Sequence, residues 1–141
     1  MKASNVLIEK IKEFEGVRLK SYKDSAGVWT IGAGHTRGVK RGQQITMAQA
    51  ESLLRGDLLN AENYVNGLGL NLTQGQFDSL VDFVFNLGAR KLANSTLLKR
   101  IYANAPTAEI QDEFRRWVYA GGKKLAGLVK RREWEAQRWA Q

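Results

Sequence analysis

The chain has 141 residues, of which 43% are hydrophobic and 26% charged, and this composition indicates a folded domain rather than a disordered segment. With no cysteine and one histidine it excludes a disulfide framework, and we expect neither a metal site nor a cofactor. The net charge is +8, and residues 115–141 carry eight basic and two acidic side chains. Such a basic stretch predicts an anionic partner.

The N-terminal third, about residues 1–45, is predicted to be a helix followed by a small β region. The helix covers residues 4–15, with Ser4 or Asn5 as its N-cap and Gly16 at its end. The segments RLKSYK and VWTIGAG then flank DSAG, whose Asp and Gly are typical of a hairpin turn.

The remaining residues are predicted to be helical. Two Thr-x-x-Gln capping boxes begin a connecting helix over about residues 46–66 and, at Thr73, a helix that ends at Gly88. Three more helices are indicated. An Asn cap predicts a helix over residues 94–104, a first-turn Pro with a Gly-Gly end predicts one over 106–122, and apolar periodicity predicts one over 125–139.

These elements predict one α+β domain over residues 1–141. A small β-hairpin lobe is joined by the connecting helix to a larger helical lobe at about residues 67–141. A ligand is expected in a cleft between the two lobes.

The position of Glu15 suggests chemistry. On a helical wheel Glu15 falls between Ile8 and Ile11, inside the apolar stripe of the first helix. Burial of a carboxylate is costly and favours its protonated form, which a catalytic acid needs. The alternative is that the helix frays at Gly16 and that Glu15 points into solvent.

Two further residues strengthen the catalytic interpretation. Asp24 lies in the hairpin turn, where a carboxylate stays hydrated, and Thr30 lies on the returning strand. A carboxyl group in apolar surroundings with a second carboxylate in a polar turn suits acid-assisted glycoside hydrolysis, and a threonine hydroxyl can hold a water. Each is individually an ordinary turn or strand residue, but the combination with Glu15 favours a hydrolytic site.

The spacing Glu15, eight residues, Asp24, five residues, Thr30, followed by IGAGH, resembles the signature of the phage-type lysozymes of glycoside hydrolase family 24, the T4 and P22 group. NLTQGQFDSLVDFVFNLGA, STLL, RRWVYAGGK and GLVKRREWE extend the resemblance over essentially the whole chain. It implies a lysozyme-like fold and an inverting muramidase. Such an enzyme cleaves the β-1,4 bond between N-acetylmuramic acid and N-acetylglucosamine of peptidoglycan, for lysis of the bacterial host by a phage.

The same resemblance implies residue roles. Glu15 would be the general acid, while Asp24 and Thr30 would position the water and stabilise positive charge in the transition state. His35 would form a structural ion pair with Asp57. Residues implied to contact the substrate, the last of them more weakly, are Thr36, Phe85, Asn86, Thr96 and Gln111.

Two arginines of the last helix complete the predicted site. Arg132 shares a wheel face with apolar residues, and a buried guanidinium needs a carboxylate partner. The resemblance implies that Arg131 or Arg132 approaches Glu15 from the helical lobe.

Other functions stay open on the sequence alone. A catalytically inactive peptidoglycan-binding module is the main alternative, and a lytic transglycosylase would need the glutamate but neither Asp24 nor Thr30. No specific nucleic acid is expected as a partner, because the basic tail has no recognisable reading helix.

The expected partner is bacterial peptidoglycan, together with an anionic wall polymer or membrane surface through the basic C-terminal region, and a monomer is expected. No signal sequence is visible. Synthesis in the host cytoplasm and action on the cell wall after release by a membrane-permeabilising partner are therefore expected, unless an N-terminal anchor has been lost.

Overall fold

Eight α-helices and four short β-strands make up the computed structural model, which describes residues 1–141. The helices are α1 Asn5–Glu15, α2 Met47–Asp57, α3 Leu59–Asn66, α4 Gln74–Leu87, α5 Ala89–Ala93, α6 Thr96–Tyr102, α7 Thr107–Arg115 and α8 Ala126–Trp139. The strands are β1 Arg18–Lys23, β2 Trp29–Gly32, β3 Tyr119–Ala120 and β4 Lys123–Lys124. The chain forms two compact units, residues 5–59 and residues 1–4 with 60–141. None of the helices has both the length and the apolar character needed to cross a membrane.

The N-terminal unit, residues 5–59, follows the predicted order of helix and hairpin. Leu7, Ile8 and Ile11 of α1 are buried, and Gly16 ends the helix with φ +70° while its N–H donates to the Lys12 carbonyl at 2.9 Å. Strands β1 and β2 pair antiparallel, with Tyr22 opposite Thr30 and Lys23 opposite Trp29. The predicted first helix and hairpin are therefore confirmed.

Both predicted capping boxes are present. The Thr46 hydroxyl accepts the Gln49 N–H and the Gln49 side chain accepts the Thr46 N–H, at 3.1 and 2.8 Å. Thr73 and Gln76 repeat the arrangement at 3.2 and 3.0 Å. The predicted helix 46–66 occurs as two segments, α2 and α3, that are separated at Leu58.

The C-terminal unit is built around the packing of α4 and α7 on α8. Its core contains an edge-to-face contact of Phe83 and Phe114, with ring centroids 6.1 Å apart. Near the first turn of α4 the backbone at the end of α8 and just beyond it comes so close that a Cβ added at Gly75 would lie 2.4 Å from the Gln141 oxygen and 2.5 Å from the Arg138 oxygen. The absence of a side chain at residue 75 therefore permits this approach of α4 and α8.

Two predicted helix boundaries in this unit are wrong. The helix expected over residues 106–122 ends at Arg115, and Gly121 and Gly122, with φ +57° and +77°, form the turn between β3 and β4 instead. Two successive positive φ values suit a tight hairpin, which a Gly-Gly pair favours over a helix end. Ser95, and not Asn94, caps α6, because Asn94 closes the short helix α5 that the sequence pattern did not indicate.

Candidate active site

Glu15 is the last residue of α1 and is exposed. The expectation that it lies buried among apolar side chains is wrong: Glu15 is in the last turn of α1, which Gly16 ends in the left-handed conformation, and the residue is exposed. The loop IGAGH lies against the carboxyl group. A Cβ added at Gly34 would be 3.3 Å from Glu15 Oε2 and 3.6 Å from its Cδ.

Asp24 is fixed by the turn that it begins. Its Oδ1 accepts the N–H groups of Ala26 and Val28 at 2.9 and 2.8 Å, and its own N–H donates to the Val28 carbonyl at 2.9 Å. The second carboxylate oxygen, Oδ2, has no hydrogen bond within the chain. The turn therefore orients the carboxylate while leaving one oxygen for a ligand.

Thr30 lies on β2 and is 4% exposed. Its Oγ1 donates to the Val28 carbonyl at 2.9 Å, so the hydroxyl hydrogen is already used and the oxygen can offer only its acceptor capacity to a water. Val28 thus holds both side chains through its backbone: its N–H binds Asp24 and its carbonyl binds Thr30. One peptide segment therefore fixes the positions of two of the three predicted catalytic groups.

The structure brings His35 and Asp57 into contact. His35 Nδ1 lies 2.8 Å from Asp57 Oδ2, and Nε2 lies 2.9 Å from the Arg37 carbonyl oxygen. Each ring nitrogen thus has a partner within the chain, and neither is left to act as a catalytic base. The pair ties the loop IGAGH, whose Ile31 and His35 backbones also bond to each other, to the end of α2.

The five residues predicted to contact the substrate are exposed or half-buried: Thr36, Phe85, Asn86, Thr96 and Gln111. Thr36 belongs to the unit that carries Glu15, and the other four belong to the C-terminal unit. Asn86 Oδ1 accepts a hydrogen bond from Arg132 Nη2 at 2.8 Å, and Gln111 Nε2 donates to the Ala136 carbonyl at 2.9 Å. Both amides thus have structural partners, and a role of any of the five in binding stays a prediction.

A buried charge network connects α4 and α8 in the C-terminal unit. Arg131 pairs with Asp82 at 2.9 Å, and Arg132 makes a two-pronged contact with Glu135 at 2.7 and 2.8 Å. Asp82, Arg132 and Glu135 are fully buried, and Arg131 is 5% exposed. Burial, and then the neighbouring Asp82 carboxylate, raises the pKa of Glu135 well above its usual range.

The sequence indicated this network only in part. It predicted a carboxylate partner for Arg132, and the Glu three residues later on the same helix was the available signal. It gave no sign that Asp82 would pair with Arg131, since that contact spans 49 positions of the chain. The predicted approach of Arg131 or Arg132 to Glu15 stays a prediction.

Comparisons with known proteins give consistent matches. Residues 12–135 match the phage lysozyme family. The endolysin of Acyrthosiphon pisum secondary endosymbiont phage 1 is 41% identical over 134 residues, which cover 89% of this chain and 88% of that protein. The endolysin of Bacillus phage B103 is 43% identical over 96% of this chain, which spans about half (52%) of that protein's length. A crystal structure of a P22 lysozyme mutant superimposes with a TM-score of 0.89 and 34% identity, over 100% of this chain and 99% of that one.

Proposed function

This chain belongs to the phage lysozyme family, and on that premise we propose that Glu15, Asp24 and Thr30 form its catalytic group. The lysozyme-like α+β fold predicted from the sequence is confirmed. The protein is a lysozyme-type glycoside hydrolase, a peptidoglycan muramidase of phage-mediated host lysis that acts on the bacterial cell wall. No finding favours the catalytically inactive binding module.

The proposed reaction is a single displacement with inversion. Glu15, as a carboxylic acid, gives its proton to the oxygen of the leaving sugar while the bond from that oxygen to the anomeric carbon of N-acetylmuramic acid breaks. A water attacks this carbon from the opposite face, and its proton passes to the Asp24 carboxylate. Thr30 Oγ1 accepts a hydrogen bond from the same water and so orients it.

One observation carries the assignment of the water site. The Val28 backbone fixes Asp24 through Oδ1 and takes the hydroxyl hydrogen of Thr30, which leaves Asp24 Oδ2 and Thr30 Oγ1 as acceptors on one hairpin. Two acceptors match the two hydrogens of an attacking water. A single displacement also requires the two carboxyl groups to be about 6.5–9.5 Å apart, so that a water fits between them.

The assignment of the acid is tested with a matched pair of variants. Glu15→Gln should fold and lose about three orders of magnitude or more in the rate of peptidoglycan hydrolysis, as expected when a general acid is removed. Glu13→Gln is the control, since it changes a glutamate two positions earlier in the same helix. The Glu13 side chain is exposed and pairs only with Lys10, so this variant should keep nearly full activity. Clearing of a peptidoglycan suspension gives the rate, and circular dichroism checks the fold.

The stereochemistry is tested on the product. Proton NMR of the first-formed reducing end should show the α-anomer, which identifies inversion. The β-anomer would indicate a covalent intermediate, and an anhydro-sugar end would indicate a transglycosylase. Equal activity of Glu15→Gln and Glu13→Gln would remove Glu15 from the mechanism altogether.

A second partner is proposed for the basic C-terminal region. Three side chains that are 63%, 43% and 37% exposed, Tyr119, Leu125 and Val129, lie among the exposed Lys123, Lys124 and Lys130. Such a mixture of apolar and basic groups suits an anionic wall polymer or membrane surface. Salt-dependent sedimentation with anionic vesicles or with the isolated polymer tests this.

We infer that the enzyme is a monomer that is made in the host cytoplasm and reaches the wall after release. A molar mass of one chain in light scattering supports the monomer.

A further inference from the structure

The C-terminal unit contains a pocket that the catalytic assignment does not use. The pocket has a volume of about 240 Å³ and is formed by the loop before α4, the turn between α6 and α7, and the end of α8. All ten residues that line it lie within residues 60–141. They include neither a proposed catalytic group nor any of the five residues predicted to contact the substrate. The pocket is therefore separate in its residues from the proposed active site.

The lining of the pocket is neutral, although the chain carries a charge of +8. Its apolar side chains are largely buried, with Ile101, Ile110 and Trp139 at 6%, 4% and 4% exposure. Its polar side chains are more exposed, and all of them are amides or a hydroxyl: Asn71, Gln76, Asn104 and Thr107. An apolar base with a few polar groups is typical of a small-molecule site, and the absence of charge suits an uncharged ligand.

The polar side chains of the pocket have hydrogen-bonding capacity to spare. Gln76 accepts the Thr73 N–H through Oε1 at 3.0 Å, which leaves its Nε2 as a free donor. The side chains of Asn71, Asn104 and Thr107 make no hydrogen bond within the chain. Each of these three groups can both donate and accept, as can the hydroxyl and acetamido groups of a sugar.

Trp139 adds a donor that has no partner within the chain. Its ring is held against Phe114, with the ring centroids 5.7 Å apart, and the residue is 4% exposed. The indole N–H of so buried a tryptophan usually finds an acceptor. Here it makes no hydrogen bond, yet it is not among the side-chain atoms that are sealed in the core without a partner. The indole N–H is therefore open to an acceptor from outside the chain.

The pocket is held in shape by the backbone around it. The Tyr102 hydroxyl donates to the Leu68 carbonyl at 2.8 Å and ties the loop before α4 to α6. Asn104 follows α6 with φ +54°, and it is the one non-glycine residue of the chain with a positive φ. Its N–H donates to the Ile101 carbonyl at 3.1 Å. A pocket that is already formed loses little conformational freedom when a ligand binds.

We propose that this pocket binds an N-acetylglucosamine unit of the peptidoglycan strand, as a second glycan site of the enzyme. This rests on the proposed function, because the ligand belongs to the proposed substrate. The acetamido carbonyl accepts from an amide or from the indole N–H, the methyl group contacts the apolar side chains, and the sugar hydroxyls meet the exposed amides. N-acetylmuramic acid fits less well, because its acidic lactyl group or the attached peptide finds no counter-charge in a neutral lining.

The first test uses NMR of the labelled protein in the Glu15→Gln background, with free N-acetylglucosamine as the probe. The side-chain N–H signals of Asn71, Asn104 and Trp139 should shift together, with a Kd on the order of 1 mM for so small a ligand. Glucose, which lacks the acetamido group, should bind roughly tenfold more weakly. The variant Trp139→Phe assigns the indole signal.

The second test removes the free amides. The double variant Asn71→Ala, Asn104→Gly should bind N-acetylglucosamine about 5- to 50-fold more weakly, because two hydrogen bonds are lost. Asn63→Ala is the control, since Asn63 is an exposed asparagine of α3 that does not line the pocket, and its Kd should change by less than twofold. Asn104→Gly alone suits the positive φ and should fold normally, with a smaller loss of binding.

The third test asks what the pocket does on the polymer. On insoluble peptidoglycan, with Glu15 intact, the double variant should show a higher KM, because a second attachment to the same strand is lost. Its kcat on a short soluble fragment, which cannot occupy both sites, should be unchanged. A merely structural role of the two asparagines would instead lower the melting temperature and affect both substrates.

Four results would overturn the proposal. The three signals could stay unshifted at a sugar concentration about ten times the expected Kd. Asn63→Ala could weaken binding as much as the double variant, or the double variant could leave the Kd unchanged. Binding to walls that disappears when the covalently attached wall polymer is removed would assign the pocket to that polymer. An inactive wild-type enzyme would refute the proposed function, whereas the sugar titration needs no turnover and decides this inference by itself.

Discussion

Replacing Gly34 by alanine should both destabilise the protein and slow the reaction. Gly34 has φ +79°, a conformation in which a non-glycine residue costs about 1–2 kcal/mol. The new methyl carbon would also lie 3.3 Å from Glu15 Oε2, closer than ordinary van der Waals contact. The carboxyl group must then move by a few tenths of an ångström. Because a displacement of about 1 Å in an active site can cost about 100-fold, a shift of about 0.3–0.5 Å predicts roughly a four- to tenfold loss in kcat.

Gly42→Ala is the matched control for this prediction. Gly42 has φ +76°, nearly that of Gly34, and an added Cβ there meets no atom within 4 Å. Both variants should therefore lose a similar free energy of unfolding, measured by urea denaturation, and only Gly34→Ala should lose kcat on peptidoglycan. Equal kcat values in the two variants, at similar stability, would refute the argument that the loop IGAGH positions Glu15.

Three further predictions concern stability. Gly75→Ala should lower the free energy of unfolding by about 1–3 kcal/mol through overpacking against α8. Gly127→Ala, where an added Cβ meets nothing within 4 Å, should be neutral or stabilising by up to about 1 kcal/mol. A similar melting temperature in both variants would contradict the close approach of α4 and α8 at Gly75. Asp57→Asn should lower the free energy of unfolding by roughly 1.5–3 kcal/mol. The double variant with His35→Asn should lose little more, because the first substitution has already removed the interaction between the two side chains. Additive losses in urea denaturation would show that the pair does not act as a unit. Burial raises the pKa of Glu135 in the folded state, so its protonation stabilises the protein at low pH, and this contribution is lost as the pH rises from about 4.5 through the raised pKa. The free energy of unfolding of Glu135→Gln relative to wild type should therefore increase with pH over that range. A constant difference would contradict the raised pKa.

Local chemistry is what the sequence determined by itself. The capping boxes at Thr46 and Thr73, the end of α1 at Gly16 and the turn at Asp24 each depend on residues within a few positions of one another. Their hydrogen bonds are formed by the nearby backbone whatever the rest of the chain does. The spacing of Glu15, Asp24 and Thr30 on these elements was likewise sufficient to indicate the family.

Only the tertiary structure decided the environment of each charged group. Glu15 shares the wheel position of buried residues but is exposed, and the wheel alone could not show which positions the rest of the fold covers. The pairing of Asp82 with Arg131, and the second carboxylate that raises the pKa of Glu135, depend on how α4 packs on α8. Electrostatic energies depend on the distances and the burial of the groups that meet in space, and these follow from packing between residues far apart in the chain rather than from their order.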